Sequence, residues 1–503
     1  MSSEPRERLF REILNARRRI YSGGSPTPTE RLPLSMDAEV FVKREDLSAV
    51  NSYKWRGAYN RMAVLSDEER ARGVVAASAG NHAQGVALAA RRMGIQARIY
   101  MPLSTPRTKQ SAVRAHGGDN VDVVLVGDSY DDAAAAAKEA LKSDGGIYVH
   151  PYDDYYTMGG QGTLADEVVM SGHGPFDIAF LQIGGGGMAA AVACWLKYYF
   201  PGIRIVGVEG VHQASMKAAV AAGRPVTLDY VDVFCDGTAV KRAGDLTFPL
   251  CRDLIDEFVT VTNEQVCAAI QALWEGARCL AEPSGAMGLA GLLKYPEYAK
   301  GRRALVVLCG ANVDFGQLPW IARHAGIGAS RRRYYRFEIG ERPGALVSLL
   351  ESICDGANII EFQYGKTDET RAFPVLGLEL PPPGFALLER RCAEQGIPFA
   401  DVTSQEDVEF RLIHYKSELF RAPRFIRLEF PERAGALRDF LHHIRGTANV
   451  CYFNYVYTGE RVGRALIGFE FESEERSIAF NALLATHHGT YQEIDPRALS
   501  RIL

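Results

Sequence analysis

Up to about residue 328 the chain alternates short, unbroken apolar runs with longer stretches of helical period. The segment GVVAASAGNHAQGVALAARRMGIQARIYMP predicts a strand over 74–77, a polar loop, a helix, and a second strand over 97–101. DIAFLQIGGGGMAAAVACWLKYYFPGIRIVGVEG repeats the plan with a glycine loop between strand and helix, and RALVVLCGANVD adds a further buried strand. Continuous β-branched runs between helices predict parallel strands covered on both faces, so this region is α/β.

Beyond the basic stretch HAGIGASRRR the pattern changes, and the chain says the same thing twice. FEIGERPGALVSLLESICDGANIIEFQYG starts at Phe337 and LEFPERAGALRDFLHHIRGTANVCYFNYV at Leu428. At one constant spacing Gly344 matches Gly435, Leu346 matches Leu437, Asn358 matches Asn449, Phe362 matches Phe453 and Tyr364 matches Tyr455. Each copy predicts strand, glycine turn, amphipathic helix, strand, strand, helix, strand, a ferredoxin-like α+β plan. The expected domains are 1–328, 334–405 and 424–496. A glycine at a strand-to-helix turn leaves helix-end amides open to a small polar ligand. The repeats therefore read either as oligomerisation modules or as amino-acid sensors. Strand alternation puts Phe362 with Tyr364, and Phe453 with Tyr455, on one face. Such pairs are core packing, or, at Tyr364 and Tyr455, an apolar wall with a hydroxyl for a branched amino acid.

Composition narrows the partners. At 503 residues, with 47% hydrophobic and 23% charged residues, the chain has ample material for a core. A net charge of −4 argues against a nucleic-acid surface or an anionic membrane as the main partner. No apolar run approaches the ~18 residues of a membrane span. The N-terminal MSSEPRERLFREILNARRRI is Arg-rich, but its glutamates make it an ordinary surface helix and not a targeting segment. Nine cysteines without a CxxC pair suit a reducing, cytoplasmic setting, with neither a disulfide framework nor a metal site.

Three short stretches carry candidate chemistry. SYKWRGA places Lys54 between aromatics, beside Arg56, at the expected seam of a strand and a helix. A lysine so shielded, next to a second cation, can be kept neutral and nucleophilic. Gly184, Gly185, Gly186 and Gly187, followed by Met188, open a helix and can bring backbone amides against a phosphate; a tight turn is the alternative. SAGNHAQG sits at another strand-to-helix junction. There Ser78 or Asn81 is expected as helix cap, and Ser78, Ala79, Gly80 and Asn81 as a seat for a carboxylate. His82 reads as structural. An amine, a phosphate loop and a carboxylate loop are the needs of a pyridoxal 5′-phosphate enzyme acting on an amino acid.

SYKWRGA, SAGNHAQGVA, IGGGGMAAAVA, AEPSGA and LCGANVDF, with the doubled tail, resemble the biosynthetic threonine deaminase family of fold-type II pyridoxal phosphate enzymes. The resemblance implies a tryptophan synthase β-like catalytic domain with two parallel-sheet subdomains, followed by two ACT-like domains answering to isoleucine and valine, within a homotetramer. It implies that Lys54 carries the cofactor and takes the substrate's α-proton. Asn81 would touch the ring hydroxyl, Gly184 to Met188 hold the phosphate, and Cys309 face the pyridine nitrogen, where many relatives have serine. The implied reaction converts L-threonine to 2-oxobutanoate and ammonia. Catabolic serine/threonine dehydratases and serine racemases are the nearest alternatives, and the doubled tail counts against both. A cofactor-free amino-acid-sensing regulator is the alternative of another class; Lys54, Asn81 and the four glycines count against it.

Overall fold

A computed structural model describes residues 4–353, 356–431, 433, 435–486 and 490–494. Residues 1–3, 354–355, 432, 434, 487–489 and 495–496 of the expected domains lie outside the described residues. The chain divides into two compact units, Met1–Gly328 and Ala329–Leu503.

The first unit holds two sheets. In the six-stranded sheet the order is Thr29–Leu32, Ala38–Arg44, Arg302–Leu308, Ile178–Gln182, Arg204–Gly210, Glu257–Val261. Only the first of these runs antiparallel to its neighbour. Leu305 and Val307 pack into the core on one face, and Ala304 and Val306 into the core on the other. That double burial is why these strands read as unbroken apolar runs and not as alternation. The four-stranded sheet is wholly parallel, with Val121–Leu125, Ala97–Met101, Val74–Ala77 and Ile147–Tyr148 in that order. The strands expected at 74–77 and 97–101 are both present. Ser78, Gly184 and Cys309 all follow the carboxyl ends of parallel strands, where open α/β sheets place their ligands.

Helix Glu4–Gly23 is amphipathic: it buries Leu9, Ile13, Ala16 and Ile20 and packs along helix Tyr155–Met170. Helical spacing puts those four side chains on one stripe, so this is a docked helix and not a purely surface one.

The setting of Lys54 differs from the expected strand-to-helix seam. The residues before it form a short 3₁₀ turn, Glu45–Leu47, and a single bridge from Ser52 to Gly310; helix Lys54–Ala63 then begins at the lysine itself. Arg56 differs more. It is fully buried and turned away from the lysine, into a closed ion cluster. Its Nε and Nη2 donate to Glu45 at 2.8 and 2.9 Å, and its Nη1 and Nη2 to Glu167 at 2.6 and 2.8 Å. Lys43 closes the cluster on Glu167 and the Thr27 carbonyl. Burial drives the Glu45 carboxyl up, but Arg56 and Lys43 outweigh it and hold the group down to about 2. Both forks are bidentate, a geometry that lysine cannot supply.

In the second unit the repeats share one eight-stranded antiparallel sheet. Strand Asn358–Gly365 of the first copy pairs edge to edge with Asn449–Val456 of the second, Phe362 opposite Tyr455 and Tyr364 opposite Phe453. The register is symmetric about the junction, and Phe362 and Phe453 meet there with ring centroids 4.3 Å apart. One hydrophobic core runs through both copies, because a pair of exposed edges would otherwise be left unpaired.

Arg56→Ala is expected to lower the stability of the protein by about 3–5 kcal/mol, since it strands two buried carboxylates. Arg56→Lys recovers only part of this. Denaturant unfolding of the variants against the parent measures both.

Candidate active site

Lys54 opens its helix in the cleft where the two sheets' strand ends meet, with Pro151 just past Ile147–Tyr148 and Cys309 just past Arg302–Leu308 both close to it. Its Nζ donates to the carbonyl of Pro151 at 3.0 Å and lies 5.3 Å from the centre of the Tyr53 ring. The side chain is half-buried. Burial pushes the amine down to about 8, against the raising influence of Cys309 and Glu282. The expected depression by a neighbouring cation is therefore corrected: Arg56 is occupied elsewhere, and desolvation does the lowering. Trp55 packs with Ile20 and Val50, away from the cleft.

The glycine loop joins strand Ile178–Gln182 to helix Gly187–Tyr199. Among the described residues, the amides from Gly184 to Met188 donate to no protein acceptor. Gly185 to Met188 are nevertheless buried. Buried donors left unpaired at a helix N-terminus call for an anion with several oxygens, and the helix dipole favours it. The phosphate of pyridoxal phosphate fits that set.

The glycines also have packing reasons. A Cβ on Gly185 would lie 2.3 Å from the Tyr152 ring, and one on Gly184 3.0 Å from Thr238. At Gly186 the φ of +95° is left-handed, and a Cβ would meet Met216 at 2.5 Å and Thr247 at 2.9 Å. Gly187 presses on the Tyr152 carbonyl and Gln161. So tight packing and an open amide face coexist, and the two readings of this loop are complementary.

Helix Asn81–Met93 is not capped by a side chain. Its N-cap is Gly80, and the Ser78 hydroxyl instead accepts from the Gly80 amide at 3.2 Å, which corrects the expected cap at Ser78 or Asn81. Ser78, Ala79, Gly80 and Asn81 are each half-buried along the cleft. His82 is buried, its Nε2 2.8 Å from the Val149 carbonyl, and burial with Lys54 nearby drives it down to about 3. It is neutral at physiological pH, in keeping with a structural part.

Cys309 follows the central strand Arg302–Leu308. Its Sγ lies 3.7 Å from the Ser284 carbonyl, and its own carbonyl accepts from the Tyr53 amide at 3.0 Å. Burial, with Glu282 close by, pushes the thiol up to about 12, so it stays neutral. Lys54, Asn81, the glycine loop and Cys309 thus meet in one cleft. Tyr152 and Pro151 link the loop to Lys54, and Thr238, 3.2 Å from Ser284, links it to the Cys309 side.

Sequence reasoning missed Glu282, Asn312 and the segment around Tyr152. The Asn81 Nδ2 donates to Glu282 at 2.6 Å, and Asn312 Nδ2 donates to Asn81 Oδ1 at 2.7 Å. The one available signal was an acid inside the apolar AEPSGA stretch, directly before a proline that starts helix Pro283–Lys294.

In the second unit Tyr364 lines a pocket between the repeats, with Glu341, Arg342, Gly344, Leu441 and Asn449 among its walls. Its hydroxyl donates to Glu341, which also accepts from Asn449 Nδ2 at 2.7 Å. Tyr455 is buried in the common core, 5.6 Å from the Phe430 ring centre.

Two α/β subdomains around a cleft that holds a lysine, a glycine loop of unpaired buried amides and a neutral thiol define a fold-type II pyridoxal phosphate enzyme. The family described as pyridoxal-phosphate dependent enzyme matches residues 20–310, and the C-terminal regulatory domain of threonine dehydratase matches 323–412 and 417–499. The chain is 37% identical over 494 residues to a biosynthetic L-threonine dehydratase of Burkholderia multivorans, covering 96% of each. The structure of processed threonine deaminase isoform 2 from Solanum lycopersicum covers 65% of this chain and 95% of its own, at 39% identity and TM-score 0.62. Maize serine racemase covers 63% of this chain and 97% of its own, at 31% identity and TM-score 0.57. The chain belongs to the biosynthetic L-threonine dehydratase family. Its cofactor is pyridoxal phosphate, and its tail is a regulatory unit that takes a small-molecule effector. Among the described residues no helix is long and apolar enough to cross a membrane.

Gly186→Val is expected to lower thermal stability and cofactor occupancy together, because its side chain collides with Met216 and Thr247. Melting curves and bound-cofactor absorbance on the same samples check this. A second prediction concerns pH. Burial, then Asp236, push Glu282 from an ordinary 4.5 up to about 7. A raised carboxyl contributes stability that is complete below pH 4.5 and is lost as pH rises through 7. The stability difference between parent and Glu282→Gln, followed in the apoprotein, should therefore change between pH 4.5 and 7 and level off above.

Proposed function

We infer that this protein is a threonine ammonia-lyase, converting L-threonine to 2-oxobutanoate and ammonia as a committed step toward isoleucine. The observation that carries the reading is the juxtaposition of Lys54 with the open amides of Gly184 to Met188, in a chain whose C-terminal part, from residue 323, matches a threonine dehydratase regulatory domain. When bound, pyridoxal phosphate supplies an electron sink that makes the α-proton of an amino acid acidic. The chain's own residues do the rest. Lys54 would hold the cofactor covalently and, once freed by substrate, would take the α-proton; an amine near 8 keeps a usable neutral fraction at physiological pH. Amides of Gly184 to Met188 bind the phosphate, and the amides and hydroxyl of Ser78 to Asn81 receive the substrate carboxylate. Asn81 meets the ring hydroxyl. The neutral thiol of Cys309 would serve as partner of the ring nitrogen and would leave it unprotonated, which favours elimination over transamination. The β-hydroxyl would leave as water, its proton balanced by the one Lys54 takes, and hydrolysis by one water would then release the keto acid and ammonia.

Isoleucine and valine are the proposed effectors, bound in the pocket at Tyr364. Apolar walls at Ile339, Leu346 and Ile444 suit a branched side chain, while Arg342 and Glu341 suit its carboxylate and ammonium. The equivalent Tyr455 sits in the core, so the assignment narrows to Tyr364. The proposal includes a cytoplasmic homotetramer; the eight described cysteines, all buried and none bridged, suit a reducing compartment.

Keto-acid release from threonine and from serine, with and without isoleucine, tests the function. Threonine should be turned over and isoleucine should inhibit; turnover of serine alone would favour the catabolic reading. Lys54→Ala should abolish turnover while its melting temperature stays near the parent's. Tyr364→Phe should raise the isoleucine concentration for half-inhibition several-fold, with uninhibited turnover within about twofold, because the effector loses a contact specific to one state. Superimposable isoleucine titrations would remove Tyr364 from the effector site.

A further inference from the structure

One buried acid, in the AEPSGA stretch, engages the cleft with no role assigned to it above. Glu282 is 3% exposed and immediately precedes helix Pro283–Lys294. Its Oε1 accepts from Asn81 Nδ2 at 2.6 Å and its Oε2 from the Asn312 amide at 3.2 Å. Asn312 Nδ2 donates to Asn81 Oδ1 at 2.7 Å and to the Val50 carbonyl at 2.9 Å. Both ends of the Asn81 amide are therefore fixed. Its orientation is chemically determined, since a carboxylate oxygen accepts and the Asn312 amide nitrogen only donates. Gly310 makes the approach possible: a Cβ there would lie 2.1 Å from Glu282 Oε1. A planar amide has two N–H groups on Nδ2, and Glu282 engages one.

The charge on Glu282 is finely balanced. Burial and Asp236, from the turn Asp236–Thr238, push the carboxyl up to about 7, against Asn81, Lys109 of helix Arg107–Gly117 and the Asn312 amide. Lys54, Tyr53 and Cys309 face it from the other wall, and Cys235 from behind Asp236. Among these only Lys109 and Lys54 are cationic.

We propose that Glu282 is a positioning residue for the cofactor: with Asn312 it locks the Asn81 amide, so that the second N–H of Asn81 is presented to the cofactor's ring hydroxyl. This rests on the reading that Asn81 meets that hydroxyl. Ionised Glu282 grips Asn81 with a charge-assisted bond, and protonated Glu282 grips it less, so the ring's surroundings change as the acid titrates.

The test is a double-mutant cycle read by cofactor binding. Apoprotein of the parent, Asn81→Ala, Glu282→Ala and the double variant is titrated with pyridoxal phosphate, and the holoenzyme absorption band of parent and Glu282→Gln is followed from pH 5.5 to 8.5. Each single alanine variant should weaken binding about tenfold, as expected for one lost hydrogen bond to a charged group. The double variant should be no more than about twofold weaker than Asn81→Ala, because Glu282 acts through Asn81. Glu282→Gln, which keeps an acceptor for Asn81 Nδ2, should bind within about threefold of the parent but lose the spectral transition near neutrality. Additive losses in the double variant, parent-like binding by Glu282→Ala, or a transition retained in Glu282→Gln would each overturn the proposal. Parent-like binding by Asn81→Ala alone would instead withdraw the contact between Asn81 and the cofactor, and the proposal with it. Should Glu282→Ala not fold, the cycle is run with Glu282→Leu, an apolar side chain of similar volume.

Discussion

Arg56 fixes the position of Lys54 from two residues away. Its guanidinium makes paired hydrogen bonds to Glu45 and Glu167, all within a region closed to water. Among the described residues the Lys54 side chain makes one hydrogen bond, to the Pro151 carbonyl, so the helix start is anchored by its neighbour and not by the amine. Glu167 lies on helix Tyr155–Met170, and that helix also carries Gln161, which packs against Gly187 and donates to the Pro151 carbonyl at 3.1 Å. One ion cluster thereby ties the lysine, its resting acceptor and the glycine loop into one rigid frame. A reactive amine needs that kind of support, since small displacements of a catalytic group are costly in rate.

Within that frame the site works through desolvation and oriented dipoles. The Lys54 amine is lowered and the Cys309 thiol raised, in each case chiefly by burial. The glycine loop presents unpaired amides at a helix N-terminus. Such donors keep their strength in a water-poor cleft and need no reorganisation when an anion arrives. Glu282 is a buried acid close to neutrality, and it is anchored to Asn81 on one side and to the Asn312 amide on the other.

The tail shows how a duplication diverges. Its symmetric strand pairing gives both copies the same face, and aromatic residues fill the centre of it. Tyr364 nevertheless lines the pocket beside Glu341, and Tyr455 lies in the core. Equivalent positions in the repeat have come to differ by what the neighbouring segments bring to them: Glu341 and Asn449 surround the first, Phe430 packs on the second.

Much of this was legible along the chain. The buried strands, the repeat and the glycine loop are local patterns, set by side-chain period and by the conformational freedom of glycine, and they survive in a one-dimensional reading. The roles of Arg56 and Glu282 are not local. SYKWRGA suggested that Arg56 lowers the lysine's basicity, whereas a helical turn points it at carboxylates lying 11 and 111 residues away in the chain. Glu282 reaches Asn81 across 201 residues, and no spacing rule connects them. The sequence by itself determined which segments are strands, which loops can bind an anion, and that a lysine stands ready. Only the tertiary structure decided which charges meet and how dry each meeting place is, because burial and through-space distance, the quantities that set a group's ionisation, exist only once the chain is folded.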